Sequence, residues 1–143
     1  NKKAKKIGCT KVDVSNPHGL SYEEKGWLKE TCSTKDMALI AKAFYKNKEL
    51  RNIISTPSYT FESNQYRTMQ NVMMTHQDSQ YYDERVIGGK TGFTNLAGRC
   101  LVTYSKIKDR TIITVVFKEN TRNDTYTDTK KLLDYTNEVL AAK

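Results

Sequence analysis

Apolar positions recur at the spacing of an α-helix in two stretches of the chain, one in the first half and one at the carboxyl end. The first stretch predicts an amphipathic helix over residues 34–46, with Ser33 and Asp36 in a capping-box pattern at its start. A shorter helix over 48–55 follows, and its inward positions are expected to be Leu50, Ile53 and Ile54.

The second stretch predicts a closing helix that is capped by Thr125 and Asp128. Its apolar face is expected to pack on a sheet through Leu132, Leu133, Thr136, Val139 and Leu140. At the amino end, residues 2–7 favour a short helix that Gly8 ends, and residues 16–19 are typical of a turn.

Between these helices the pattern changes to extended, β-branched runs. The predicted strands are 86–91, 98–104 and 111–117. Short connections, including a charged turn at 106–109, favour antiparallel pairing. Tyr59 and Phe61 alternate with polar neighbours and indicate one further short strand. The sequence therefore predicts an α+β fold, in which an antiparallel sheet of about three strands over 86–117 is packed by helices.

Composition narrows the class of protein. The chain has 143 residues, which fits one domain with its own core. The formal net charge of +8 would suit nucleic acid, an anionic membrane surface or an acidic polymer. However, aromatic and basic residues do not interleave as they do in RNA-binding modules. We therefore interpret the charge as a solvated basic surface and expect no nucleic-acid partner.

Cysteine and histidine usage gives no metal signature. Cys9, Cys32 and Cys100 cannot all pair internally, and no Cys-x-x-Cys occurs. Cys100 lies in an apolar run and is expected to be a small buried hydrophobe. His18 and His76 have no partners at ligand spacing, so no metal or cofactor is expected. His18 is interpreted as a turn residue rather than a catalytic one.

One tripeptide carries the clearest chemistry. Lys90, Thr91 and Gly92 bring an ammonium, a hydroxyl and a bare backbone together at the end of a predicted strand. On an extended segment, the ammonium and the hydroxyl can bind a carboxylate, while the glycine leaves space for a peptide to lie against the strand. This Lys-Thr-Gly triad is one of three motifs of penicillin-binding proteins and β-lactamases.

Further blocks surround the triad in a specific order. Three of them are Asn-Pro-His-Gly-Leu at 16–20, Gly-Lys-Thr-Gly-Phe-Thr at 89–94 and Ala-Gly-Arg-Cys-Leu-Val at 97–102. The other blocks lie at 36–41, 54–56, 59–60 and 130–135. Along nearly its whole length the chain thus resembles the low-molecular-weight penicillin-binding proteins that act as serine D-alanyl-D-alanine carboxypeptidases.

The resemblance implies a partial penicillin-binding, β-lactamase-like transpeptidase fold. It also implies an extracytoplasmic parent, in the cell wall or associated with the outer face of the cytoplasmic membrane. This parent would remove the terminal D-Ala from peptidoglycan stem peptides through an acyl-enzyme and would react with β-lactams. Neither Ser-x-x-Lys nor Ser-x-Asn occurs in a usable place. Residues 1–143 are therefore interpreted as a single partial domain, the C-terminal portion of the catalytic domain, inactive without the part that bears the nucleophile.

The resemblance also assigns roles to five residues. Lys90 would be the catalytic cation of the triad, and it would bind the substrate together with Thr91 and Gly92. The Phe93 amide would supply one oxyanion donor. Arg110, at the start of the last predicted strand, would assist carboxylate recognition, although it could equally be a surface charge.

Two other expectations follow. One alternative function is a non-catalytic module that binds cell-wall peptide or another anion through its basic face. The strand over 111–117 is long and apolar, and in the resembling fold it lies beside strands that this chain lacks. The chain alone is thus expected to cover this edge by self-association or by pairing with the missing part.

Overall fold

The computed structural model describes residues 1–20, 30–62 and 67–142. The helices are α1 (Lys2–Lys6), α2 (Thr34–Lys46), α3 (Lys48–Ile54), α4 (Val72–Thr75) and α5 (Arg122–Ala141). The strands are β1 (Val12–Asp13), β2 (Thr31–Cys32), β3 (Ser58–Phe61), β4 (Arg67–Gln70), β5 (Val86–Thr94), β6 (Gly98–Ile107) and β7 (Arg110–Glu119). None of the described helices is both long enough and apolar enough to cross a membrane.

The central sheet has the order β5-β6-β7 and is antiparallel throughout. Its β-branched and apolar runs form longer strands than the sequence predicted, but the three-stranded antiparallel arrangement is confirmed. Thr91 is opposite Leu101, and Leu101 is opposite Val116, so the three strands are aligned at this level. A register shift between Val86 and Gly88 marks an irregularity at the start of β5.

The core lies between one face of this sheet and α5. Alternate residues of β6 point to α5, because successive side chains of a strand point to opposite faces. The fully buried apolar side chains of this layer are Met73, Val86, Leu101, Ile107, Tyr126 and Leu133. The predicted apolar face of α5 is only partly correct, since Leu133 is buried whereas Leu132 is 40% exposed.

The predicted cap of α5 is wrong by one turn. The helix begins after Thr121, whose hydroxyl accepts from the Asp124 amide at 3.2 Å. The Asp124 carboxylate in turn accepts from the Thr121 amide at 3.0 Å, which completes a capping box. Thr125, the predicted cap, is instead 2% exposed and packs inside the helix–sheet interface.

Helix α2 covers the opposite face of the sheet and starts at Ser33 as predicted, with the Asp36 amide donating to the Ser33 hydroxyl at 3.1 Å. The Asp36 carboxylate does not close a capping box. It is buried and accepts from the Thr10 amide at 3.1 Å and from the Lys11 amide. The start of α2 is therefore tied to a segment far away in sequence, which local pattern could not reveal.

Tyr104 joins α2 to the sheet. Its hydroxyl donates to the Ala41 carbonyl at 3.0 Å, and its ring stacks on Tyr45 with centroids 4.8 Å apart. Burial, with a smaller effect from Tyr45, raises the pKa of Tyr104 to about 12. The phenol therefore stays protonated and keeps donating throughout the neutral range.

Three smaller expectations need adjustment. Ile53 of α3 points outward and is 68% exposed, because the short helix turns only one side to the sheet. Cys100 is half-buried rather than buried, whereas Cys9 is buried, and the three cysteines are unpaired. Tyr59 lies on a strand as predicted, but β3 pairs with β4 in a hairpin separate from the central sheet.

Candidate active site

The triad lies where β5 leaves the protein interior. Val86 and Gly88 are buried, whereas Lys90, Thr91 and Gly92 are exposed. Strand β5 is at one edge of the sheet, and no strand in the described part of the chain pairs with its outer side. A peptide could therefore add to this edge by main-chain hydrogen bonds.

An ion-pair network fixes the start of β5. The Arg85 guanidinium donates to Asp83 at 2.7 and 2.8 Å, and to Asp134 of α5 at 2.6 Å. Burial by itself would raise the pKa of Asp83. The hydrogen bonds from Arg85, together with the positive charges of Arg85 and Lys130, have the larger combined effect, so the pKa of Asp83 is lowered. The same bonds raise the pKa of Arg85. The turn before β5 is thus held as an ionised pair against α5.

Two glycines let β5 pass between neighbouring segments. A Cβ on Gly88 would lie 2.8 Å from the carbonyl oxygen of Ile54 in α3. A Cβ on Gly89 would lie 2.9 Å from the Val102 carbonyl oxygen. Because only hydrogen fits in these spaces, the glycines determine how closely the triad strand approaches α3 and β6.

The triad residues present an open, cationic edge. The Lys90 ammonium donates to the Thr91 carbonyl, and its side chain is exposed. A Cβ on Gly92 would meet only the Cys100 side chain, at an ordinary 3.8 Å. The chain's own packing therefore does not require a glycine at this position, and the open space is available to a ligand.

Phe93 follows the triad and has an unexpected partner. It is opposite Arg99 in the β5–β6 ladder, and the guanidinium carbon lies 3.7 Å from the centroid of the Phe93 ring. The ring remains 50% exposed. The sequence did not identify Arg99 as a site residue; the signal was the short β5–β6 connection, which pairs it with Phe93 once the hairpin register is known.

Arg110 does not join this group. It is opposite Ile107, six residues along β6 from Leu101, the partner of Thr91. At about 3.3 Å per residue it lies roughly 20 Å along the sheet from the triad. Arg110 is also exposed, so its position favours the second interpretation, a surface charge, over a role beside the triad. Arg99 is instead the arginine that the register places opposite Phe93, next to the triad. Arg122 lies at the start of α5 and donates to the Tyr126 hydroxyl at 3.0 Å.

The spacing Ser-x-x-Lys does occur once in the second half of the chain, at Ser105 and Lys108, but not in a place where it could act. Ser105 lies on a strand and is fully buried, and the Lys108 ammonium donates to the Leu140 carbonyl at 2.6 Å. A nucleophile and its base three residues apart need a helix to share a face. This pair therefore cannot act as one.

The histidine expected to shape a turn does so. The Asn16 side chain accepts from the amides of His18 and Gly19 at 3.1 and 2.7 Å, and the His18 ring accepts from the Leu20 amide at 3.1 Å.

Within the described residues, no group of three or more His, Cys, Asp or Glu could hold a metal ion.

The fold is that of penicillin-binding and transpeptidase proteins. It is similar to a D-alanyl-D-alanine carboxypeptidase of Mycobacterium tuberculosis (22% identity, TM-score 0.76, 95% of this chain and 50% of that one). It is also similar to the peptidoglycan synthesis regulatory factor PBP3 of Streptococcus pneumoniae (27% identity, TM-score 0.76, 94% of this chain and 39% of that one). A third similar structure, penicillin-binding protein D2 of Listeria monocytogenes, has been solved in cefotaxime-bound form (24% identity, TM-score 0.71, 93% and 51% covered).

The chain belongs to the Peptidase_S11 family of D-alanyl-D-alanine carboxypeptidases, whose model matches residues 1–121. It is 30% identical over 135 residues to the D-alanyl-D-alanine carboxypeptidase DacF of Bacillus subtilis, covering 94% of this chain and 33% of that protein. The resemblance seen in the sequence is thereby confirmed. The chain spans about a third of the curated relative and about half of the carboxypeptidase structure.

Proposed function

We propose that the full-length protein containing this chain is a serine D-Ala-D-Ala carboxypeptidase. It removes the terminal D-Ala from peptidoglycan stem peptides through an acyl-enzyme, and residues 1–143 are the C-terminal portion of its catalytic domain. The observation that carries this proposal is the outer edge of β5, which no strand of the described residues pairs with and where Lys90, Thr91 and Gly92 are consecutive and exposed. Family membership supports it over a non-catalytic anion-binding module.

Each residue at this edge of β5 has a different role in binding or catalysis. The Lys90 ammonium favours the anionic forms of the nucleophile and of the substrate's carboxylate. The Thr91 hydroxyl donates to that carboxylate, and Gly92 leaves the space in which the substrate strand adds. The Phe93 amide donates to the oxyanion of the tetrahedral intermediate, where one such donor contributes about 3–4 kcal/mol.

The serine nucleophile and its lysine come from a part of the protein outside this chain. The open side of β7 supports a junction with that part, since β7 is the other edge of the described sheet. Because the substrate is peptidoglycan, the enzyme acts outside the cytoplasm, in the cell wall or at the outer face of the cytoplasmic membrane. Its partners are stem peptides ending in D-Ala-D-Ala and, as acylating inhibitors, β-lactams.

Labelled penicillin tests this function. The full-length protein is expected to be acylated, whereas the 143-residue chain alone takes up no label. In the full-length protein, Lys90→Ala lowers the acylation rate by about 10²–10³-fold, the cost of removing one site that stabilises developing charge. Lys106→Ala, which removes the same charge from the exposed side of β6, serves as the control.

Two results would contradict the proposal. Covalent labelling of the 143-residue chain alone would show that it holds a nucleophile of its own. Equal acylation rates for Lys90→Ala and Lys106→Ala would remove the triad from the mechanism.

A further inference from the structure

The paired side chains of Phe93 and Arg99 form a small surface beside the triad that the proposed mechanism does not use. Cross-strand partners share one face of a sheet, and here the guanidinium carbon of Arg99 lies over the Phe93 ring, 3.7 Å from its centroid. Half of the ring stays exposed. The apolar ring of Phe93 and the cation of Arg99 are therefore in contact next to the triad.

The hydrogen-bond donors of Arg99 remain available. A guanidinium that contacts an aromatic ring through its face keeps its N–H donors in its own plane, away from the ring. Glu119 is opposite Arg99 on β7, yet the ion pairs found among the described residues involve only Arg85 and Lys131 as cations. No side chain in the described ranges accepts a hydrogen bond from Arg99, so an incoming carboxylate would meet unused donors.

The proposed function fixes which part of a substrate would lie here. The terminal carboxylate is held at Thr91 and the scissile carbonyl at the Phe93 amide, so the peptide runs antiparallel to β5. Continuing in that direction, the residue before D-Ala-D-Ala passes Phe93 toward Thr94. Since the substrate strand adds along the outer edge of β5, this residue comes beside the exposed half of the ring.

We propose that Phe93 and Arg99 form a subsite for the side chain that precedes D-Ala-D-Ala, and that it selects an aliphatic side chain ending in a carboxylate. This inference rests on the proposed function and names its substrate class. The aliphatic stem packs on the exposed part of the Phe93 ring, and the carboxylate accepts two parallel N–H bonds from the Arg99 guanidinium. An amide or an ammonium at the same point loses this pairing.

Matched substrates test the subsite in the full-length protein. The probes are N-acetyl-X-D-Ala-D-Ala peptides in which X is L-2-aminopimelate, its side-chain amide, or L-lysine. The acid is expected to have a kcat/KM about five- to tenfold above that of the amide, the range for one charge-assisted contact at a partly exposed site, and lysine lies lower still. Added salt reduces the preference, because it screens an exposed pair.

Variants locate the preference. Arg99→Gln brings the acid-to-amide ratio of kcat/KM to about 1, and Arg99→Lys retains part of it, since an ammonium is charged but neither planar nor bidentate. Lys106→Gln removes a positive charge from the same strand away from Phe93, and it keeps the wild-type ratio. If Arg99→Gln fails to fold, Arg99→Lys and the salt dependence of the wild type still report on the subsite.

The outcomes separate the two proposals. If none of the three peptides is hydrolysed, the carboxypeptidase function itself fails. If all are hydrolysed with equal kcat/KM, or if Arg99→Gln keeps the preference for the acid, the function stands and the subsite is refuted.

Discussion

Gly88 and Gly92 lie on the same strand, four residues apart, in different surroundings. At Gly88 a Cβ would come within 2.8 Å of a backbone carbonyl oxygen of α3. At Gly92 the nearest neighbour would be a side-chain atom at 3.8 Å. The first glycine is therefore required by packing, whereas the second is free for a ligand, as the proposed substrate strand requires.

Alanine at each position separates these roles. Gly88→Ala is expected to lower the free energy of unfolding of the full-length protein by about 1–3 kcal/mol, because the backbone of α3 or β5 has to shift. Gly92→Ala changes that free energy by less than about 0.5 kcal/mol, as is usual for a surface substitution, but slows acylation by penicillin. Denaturant unfolding and labelling rates measure both effects; equal losses of stability in the two variants would refute the distinction.

At the scale of elements, the position of β5 depends on contacts outside the strand. Asp83 and Arg85 precede it and connect it to Asp134 on α5. The Asp83 amide donates to the Met73 carbonyl at 3.1 Å, and the Val86 amide donates to the Asp83 carbonyl at 3.0 Å. A strand that presents a binding edge is thereby held at its buried end, while its exposed end stays open.

This network predicts a pH-dependent stability. The pKa of Asp83 is lowered in the folded state, so its stabilisation is present above the unfolded-state value of about 4 and is lost as the pH falls through the folded value. Asp83→Asn is therefore expected to cost about 1–3 kcal/mol at pH 7, and this difference from the wild type shrinks in acid.

Denaturant unfolding of the full-length protein between pH 7 and pH 3 measures the difference. Asp128→Asn is the control, because the Asp128–Lys131 pair is exposed and such pairs contribute about 0–1 kcal/mol. A cost of Asp83→Asn that is the same at every pH would show that the carboxylate charge is not what stabilises the turn.

At the scale of the whole molecule, both edges of the central sheet are unpaired within the described residues, but their surroundings differ. Beside β7 and α2 runs a groove of about 460 Å³ with an apolar floor that includes Leu39 and Ile113. Three lysines border it: Lys35, Lys42 and Lys46. A long apolar edge flanked by helices on both sides favours pairing with another segment.

The 143-residue chain alone is therefore expected to associate through β7. Val115→Lys, which adds a charge to this edge, shifts the chain toward monomer in sedimentation velocity, whereas Thr127→Lys on the exposed side of α5 leaves association unchanged. A wild-type chain that sediments as a stable monomer across concentrations would count against this use of the edge.

Several features of the fold were predictable because their signals are local. The apolar periodicity gave α2 and the strands of the central sheet, and Ser33 marked the start of a helix. The cap of α5 was misplaced because two hydroxyl–acid pairs, at Thr121 and Thr125, fit the same pattern. Only packing, which buries Thr125 and leaves Thr121 at the surface, distinguishes them.

By itself the sequence determined the family, the antiparallel sheet and the strand that carries Lys90, because these depend on the order of motifs and on periods of two to four residues. The tertiary structure alone decided which residues the charged side chains contact. Strand register brings Arg99 to Phe93 and takes Arg110 to the other end of the sheet, and burial turns the Asp36 carboxylate toward Thr10 rather than to its own helix. Register and burial arise from contacts between residues far apart in the chain, which no local pattern encodes.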